Sequence, residues 1–136
     1  MRAVVLDNEA VQALASPDHD KHRVVVAPLA GVVTRRRRGA GMVAVVPTAV
    51  RVEAGRDRSD PRAAPINRFR VLDVALDTDL ANRAARIVTG TGVSIADAHL
   101  GAVAQTSTGS DVVVLTSDPR DVVRASEPRN VTVVRI

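Results

Sequence analysis

Four carboxylates stand where an α/β chain concentrates its chemistry. Asp7 closes the short apolar run Ala3–Leu6, and Asp118 lies just past the run Val112–Leu115. Asp97 falls three residues after Ser94, in the first turn of the helix expected before that last run. Glu53 falls near the end of a short helical segment that follows another apolar run, Met42–Val46. In an open parallel sheet, ligands sit outside the carboxyl ends of the strands. Acids at two such ends, joined by two from neighbouring helices, are therefore expected at one edge. Carboxylates held within a few ångströms repel one another, so some become neutral unless a cation sits between them. Oxygen donors favour Mg2+ or Mn2+ over zinc. Magnesium keeps several waters, so such a site can activate one for attack on a phosphodiester, and a second ion can stabilise the leaving oxygen. The spacing does not choose between one ion and two.

Each acid also has a purely structural reading. Asp7, Asp97 and Asp118 sit where an acid favours a helix amino terminus. Glu53 does not, because the helix dipole disfavours an anion near the carboxyl end. Its structural reading is a solvated face, paired with Arg56.

The elements that must position these side chains follow from apolar spacing and breakers. Ala3–Leu6 reads as a buried strand and Asn8–Ala15 as a helix, with Leu6, Ala10, Val11 and Leu14 at helical spacing. Ser16-Pro17-Asp18 breaks it, and Asp18 or Asp20 is expected to cap a longer helix through Val24–Val33. That helix ends in Arg35, Arg36, Arg37 and Arg38 before Gly39, as cations and glycine suit a carboxyl end. Met42–Val46 is a second strand; Pro47 then opens a helix to Ala54, stopped by Gly55. Arg56–Pro65 reads as a loop or short helix and Val71–Ala75 as a third strand. Asp77 or Thr78 starts a helix through Ala81, Ala84, Ala85 and Val88 that ends at Gly90 and Gly92. Ser94 opens the next, with Asp97 at the spacing of a capping box. Val112–Leu115, a helix over Pro119–Arg124 and a strand over Val131–Ile136 complete the order. Continuous apolar strands alternating with helices predict a parallel sheet covered on both faces.

The segments VVLDNEAVQAL, VVPTAVRVEAG, GVSIADAHLGAVA and VVVLTSDPRDV, in that order and spacing, resemble the four acidic motifs of the PIN-domain family. Within it they resemble the single-domain VapC-type toxins of toxin–antitoxin pairs, over nearly the whole chain. The resemblance implies a Rossmann-like fold with four or five mostly parallel strands, and Mg2+- or Mn2+-dependent cleavage of RNA. Matched motif by motif, the four acids fall on Asp7, Glu53, Asp97 and Asp118, and a further polar pair on Thr116 and Asp121. Asp7, Asp97 and Asp118 would hold the metal directly or through water, with Asp121 as an additional ligand. Glu53 would bind the metal or orient the water that attacks phosphorus. Asn8 stands where the family more often has Ser, Thr or Ala; the change spares the ligand and alters a contact to substrate. Asn8, Thr116 and the four consecutive arginines are the candidates for touching RNA. The resemblance also implies a homodimer, an antitoxin partner covering surfaces near the early helices, and a cytoplasmic location.

Composition narrows the alternatives. The chain has 136 residues, which fits one domain able to bury its own core. Without cysteine there is no disulfide framework, thiolate zinc site, iron–sulfur cluster or cysteine nucleophile. Phe69 is the only aromatic residue, so bases have no Tyr or Trp platform to stack on. The core must come from Val (26) and Ala (21). A net charge of +4 permits a polyanionic partner. No apolar run approaches a membrane span, and MRAVVLDNEA does not read as a secretory signal.

Other constellations carry less. His19 and His22 flank Asp20 and Lys21 near a helix start, where acids gather without a metal. His99 is two residues from Asp97 and points to another helix face, as a packing residue rather than a general base. Arg56, Arg58, Arg62 and Arg68 are further candidates for phosphate contact. There is no G-x-x-x-x-G-K-[ST] loop, no G-x-G-x-x-G and no G-x-S-x-G elbow. A receiver domain would need a late lysine, and Lys21 is the only one. Two rivals to a nuclease remain: a non-catalytic PIN-like module that binds RNA or protein, and a structural domain whose acids are caps.

Overall fold

The computed structural model describes residues 2–39, 41–109 and 111–136. Its five strands are β1 (Arg2–Leu6), β2 (Met42–Pro47), β3 (Leu72–Val74), β4 (Asp111–Thr116) and β5 (Thr132–Arg135). They form one sheet in the order β3-β2-β1-β4-β5, and every pairing is parallel. The fold is thus α/β and Rossmann-like, with five strands. β1 lies at the centre and its Val4, Val5 and Leu6 are buried, which is why the run is continuously apolar. Chain order reverses between β1 and β4, where β1 pairs with both β2 and β4. The register Leu6↔Leu115 sets the carboxyl ends of those two strands side by side.

The helices are α1 (Asn8–Ala15), α2 (His22–Arg37), α3 (Thr48–Ala54), α4 (Ala64–Arg68), α5 (Thr78–Thr91), α6 (Ile95–Thr106) and α7 (Pro119–Ser126). α1 packs on α2 and α4, while α6 packs on α5 and α7. α3 touches both α1 and α6 at the carboxyl edge of the sheet. Its limits are local: Pro47, with φ −62°, enters it, and Gly55 ends it in the left-handed region at φ +66°.

The sequence reading differs from the structure in three places. α2 starts from Lys21 with no side-chain cap, so neither Asp18 nor Asp20 closes its amino terminus. The segment after Gly55, read as a loop or short helix as far as Pro65, holds a 3-10 turn (Pro61–Ala63) and then α4, which runs on to Arg68. In both helical pieces a proline stands in the first turn, where its missing N–H costs nothing. α5 runs through Gly90 and ends at Gly92 alone, the one of the two glycines with positive φ.

A Val- and Ala-rich core lets helices approach closely. The main cluster fills the space around β1, β2 and β4, from Leu6, Leu14, Leu29 and Val46 to Leu100 and Leu115. A smaller cluster lies beneath α5, α6 and α7, built from Ala84, Ile87, Val93, Ala98, Ala102 and Ala125. There α6 passes so near α7 that a Cβ on Gly101 would stand 2.3 Å from the Ala125 carbonyl oxygen. Both helices carry acids of interest, so this contact also sets their separation. Among the described residues no single helix is long and apolar enough to cross a membrane. Gly101→Ala is expected to lower stability by roughly 1–3 kcal/mol, because backbone rather than a flexible tip must give way. Urea unfolding checks this, and an unchanged midpoint would mean that α6 and α7 slide apart freely.

Candidate functional site

Asp7 is the buried member of the acidic group, with 7% of its surface exposed. It caps α1: its Oδ1 accepts from the Ala10 N–H at 2.8 Å. Its Oδ2 accepts from the Ser117 N–H at 3.1 Å, across from β1 to the turn after β4. Burial pushes its pKa up, against hydrogen bonds from Thr116, Ala10 and Ser117 that pull it down. Thr116 is fully buried, and its hydroxyl accepts from the Asp118 N–H at 2.9 Å. This corrects its place among RNA-contacting residues: Thr116 orders Asp7 and Asp118 from inside the fold.

Asp118 caps α7 through the Asp121 N–H at 3.3 Å and is otherwise exposed. Asp121 stands 3.6 Å from the Arg124 guanidinium. On α6, the Ser94 hydroxyl accepts from the Asp97 N–H at 3.1 Å. The reverse bond of a capping box, to the Ser94 N–H, is absent among the described residues. Glu53 is exposed on α3, and among the described residues it has no ion-pair partner. Arg56, its expected partner, instead donates to Gln12 Oε1 at 2.8 Å.

These acids meet in one cleft of about 310 Å³, lined by Asp7, Asn8, Glu9, Gln12, Glu53, Ser94, Asp97, Ser117 and Asp118. Five of the nine are carboxylates and none is basic, although the chain has more Lys and Arg than Asp and Glu. The consequence falls on Asp97. Its pKa rises from an ordinary 3.8 to about 6, first through burial and then through the charges of Asp121, Glu53 and Asp7. Asp121 does not line the cleft, but its charge reaches it. Among the described residues no three His, Asp or Glu side chains are drawn together closely enough to hold a metal ion.

Glu9 is the lining acid that sequence reasoning missed; its place in the first turn after Asp7 was the available signal. It pairs with His19 Nε2 at 3.1 Å and Lys21 Nζ at 3.6 Å. That, with His22 Nδ1 at 2.8 Å from the Ala13 carbonyl oxygen, accounts for the His–Asp–Lys–His segment without a metal. His99 is wholly buried, its Nδ1 accepting from the Ala49 N–H at 3.3 Å, so it braces α6 against α3. Burial lowers its pKa.

Beside the acidic cleft lies an apolar hollow of about 570 Å³ that shares Glu53 and Ser94 with it. Val52 and Ile95 on its walls are 79% and 68% exposed. The arginines are elsewhere. Arg35, Arg36, Arg37 and Arg38 are exposed at the end of α2, next to the start of β2 and thus at the opposite edge of the sheet. Arg51 grips Asp73 with two bonds of 2.7 and 3.0 Å, and Arg58 joins at 3.1 Å, tying α3 to the edge strand β3. Arg62 pairs with Asp60 at 2.7 Å. Arg56, Arg58 and Arg62 therefore have structural partners. No protein-family model matches the chain, and no curated protein matches it.

The raised pKa of Asp97 has a stability consequence. Between pH about 4 and about 6 the unfolded chain has released a proton that folded Asp97 retains. Stability therefore falls as pH rises through that window and levels off above it. Asp97→Asn keeps the Ser94 cap and removes the charge. It is expected to raise stability at pH 7.5 by on the order of 1 kcal/mol, discounted for partial exposure, and to flatten the slope. Thermal unfolding across pH tests this; a destabilised variant with the slope intact would show that the acids do not interact.

Proposed function

We propose that this protein is a Mg2+- or Mn2+-dependent endoribonuclease that hydrolyses RNA phosphodiesters, acting as the toxin of a toxin–antitoxin pair in the cytoplasm. The observation that carries the reading is the cleft at the β1–β4 switch point, lined by five carboxylates and no cation. Evenly matched caps would not need to gather there. An all-oxygen donor set, in which Glu9 alone of the five has a cationic partner among the described residues, fits a hard divalent ion. Asp7, Asp97 and Asp118 would hold it, with Glu53 and Asp121 near enough to add charge. The chemistry a bound divalent ion supplies is Lewis-acid activation of water and neutralisation of charge developing on the phosphoryl oxygens. Glu53, exposed and unpaired among the described residues, orients the attacking water. Asp97 is crowded by the charges of Asp121, Glu53 and Asp7, repulsion that a bound cation would relieve. Thr116 and the Ser117 N–H keep Asp7 in place throughout. Asn8 borders the cleft and contacts the strand being cut.

The partners belong to the same proposal. α2 presents Val24, Ala27 and Ala30 to solvent at one-turn spacing, an apolar stripe suited to an antitoxin or to a second copy. A second reading, a non-catalytic PIN-like module binding RNA or protein, is favoured by the lack of three side chains close enough to hold an ion among the described residues.

Purified protein is expected to cut a mixed RNA pool with Mg2+ or Mn2+ and not with chelator. Asp97→Asn should reduce cutting by about a hundredfold or more while folding at least as stably. Equal cutting by both proteins would remove the acids from the chemistry, and no cutting by either would favour the binding module. The ion can be followed without RNA. Saturating Mg2+, at about 100 times its Kd, should stabilise the protein by about 2.7 kcal/mol. Asp7→Asn should diminish the shift in melting temperature; an undiminished shift would put the ion elsewhere.

A further inference from the structure

We propose that the amino edge of the sheet carries a phosphoryl-anion site, built by Arg36 and Arg37 from the end of α2 and Arg68 and Arg70 from the α4–β3 connection. The four arginines line a single hollow of about 450 Å³, together with Val33. They reach it from two separate elements that lead into β2 and β3. The acidic cleft lies at the carboxyl edge, about one strand length or ~20 Å away. The site does not depend on the nuclease reading.

The case rests on four arginines sharing one hollow whose lining holds no carboxylate. Arg2, Arg51, Arg58, Arg62 and Arg124 each have a carboxylate partner. Among the described residues, none of the four in the hollow has one, and Arg68 rests instead over the Phe69 ring at 5.7 Å. Arg70 is held at φ +53°, a backbone conformation unfavourable for a bulky side chain. Arg35, from the same run, turns away to Met42 Sδ at 3.2 Å, so the hollow selects part of the run. Guanidinium groups do not release a proton in a protein, so an anion is what neutralises positive charge gathered in one hollow. A carboxylate satisfies one guanidinium fork, whereas a phosphoryl group offers more oxygens and charge and can engage several. The phosphoryl group belongs either to a free phosphate compound or to a nucleic-acid backbone.

The test uses calorimetry with inorganic pyrophosphate, and fluorescence anisotropy with a labelled short single-stranded RNA in chelator. Arg36→Gln/Arg37→Gln and Arg68→Gln/Arg70→Gly each remove two charges; the glycine also suits the positive φ. Arg35→Gln/Arg38→Gln removes the same charge from outside the hollow. Expected is tight pyrophosphate or RNA binding that both hollow pairs weaken about tenfold or more. The control pair should change it by less than about twofold. Weakening of pyrophosphate alone assigns a free phosphate compound, and weakening of RNA, with or without pyrophosphate, assigns a backbone. The proposal is overturned if neither ligand responds to the hollow pairs, or if the control pair weakens binding equally. It is likewise overturned if a poly-glutamate peptide binds as tightly as the better phosphate ligand.

Discussion

A carboxylate buried at the end of the central strand is the constraint on which the carboxyl edge depends. Asp7 has to be desolvated because β1 is covered on both faces, and a desolvated charge needs hydrogen bonds. It takes them from α1 on one side and from the turn after β4 on the other. The same N–H donors that satisfy Asp7 thereby fix where α1 begins and how β4 passes into α7. Thr116 completes the arrangement by joining Asp7 to Asp118 from within. Capping and site-building are one set of bonds here, so the structural and chemical readings of Asp7 and Asp118 are compatible.

Charge is sorted by edge. Acids gather at the carboxyl ends of the strands and four arginines share a hollow at the amino ends, while Arg2, Arg51, Arg58, Arg62 and Arg124 are spent on ion pairs. Burial, joined by the charges of Asp121, Glu53 and Asp7, pushes the pKa of Asp97 up to about 6. A modest net charge of +4 thus conceals two local fields of opposite sign.

Small side chains set the spacing between helices. Gly101 and Ala125 allow α6 and α7 to approach within backbone contact, which brings Asp97 and Asp121 into electrostatic reach of one another. α3 is anchored both ways: Val50 and Ala54 enter the core, Arg51 clamps Asp73 on β3, and His99 receives the Ala49 N–H. Glu53 sits on this short helix, and those contacts together set its position.

The strands, the parallel order and four of the five cleft carboxylates were legible in the chain, because apolar runs closed by an acid or glycine record burial and termination directly. Periodicity said little about segments 16–22 and 56–68, where prolines, acids and arginines dominate. There the structure supplied an uncapped α2 and the additional α4. Pairing was equally illegible: Arg56 selects Gln12 over the nearer Glu53, and Glu9 enters the cleft on the arm of His19 and Lys21. Sequence alone determined which residues end strands and open helices, since those preferences act within a few neighbours. Tertiary structure decided which charges share a space, which are buried and which go unpartnered, since Coulomb energy and desolvation depend on distances between segments far apart in the chain.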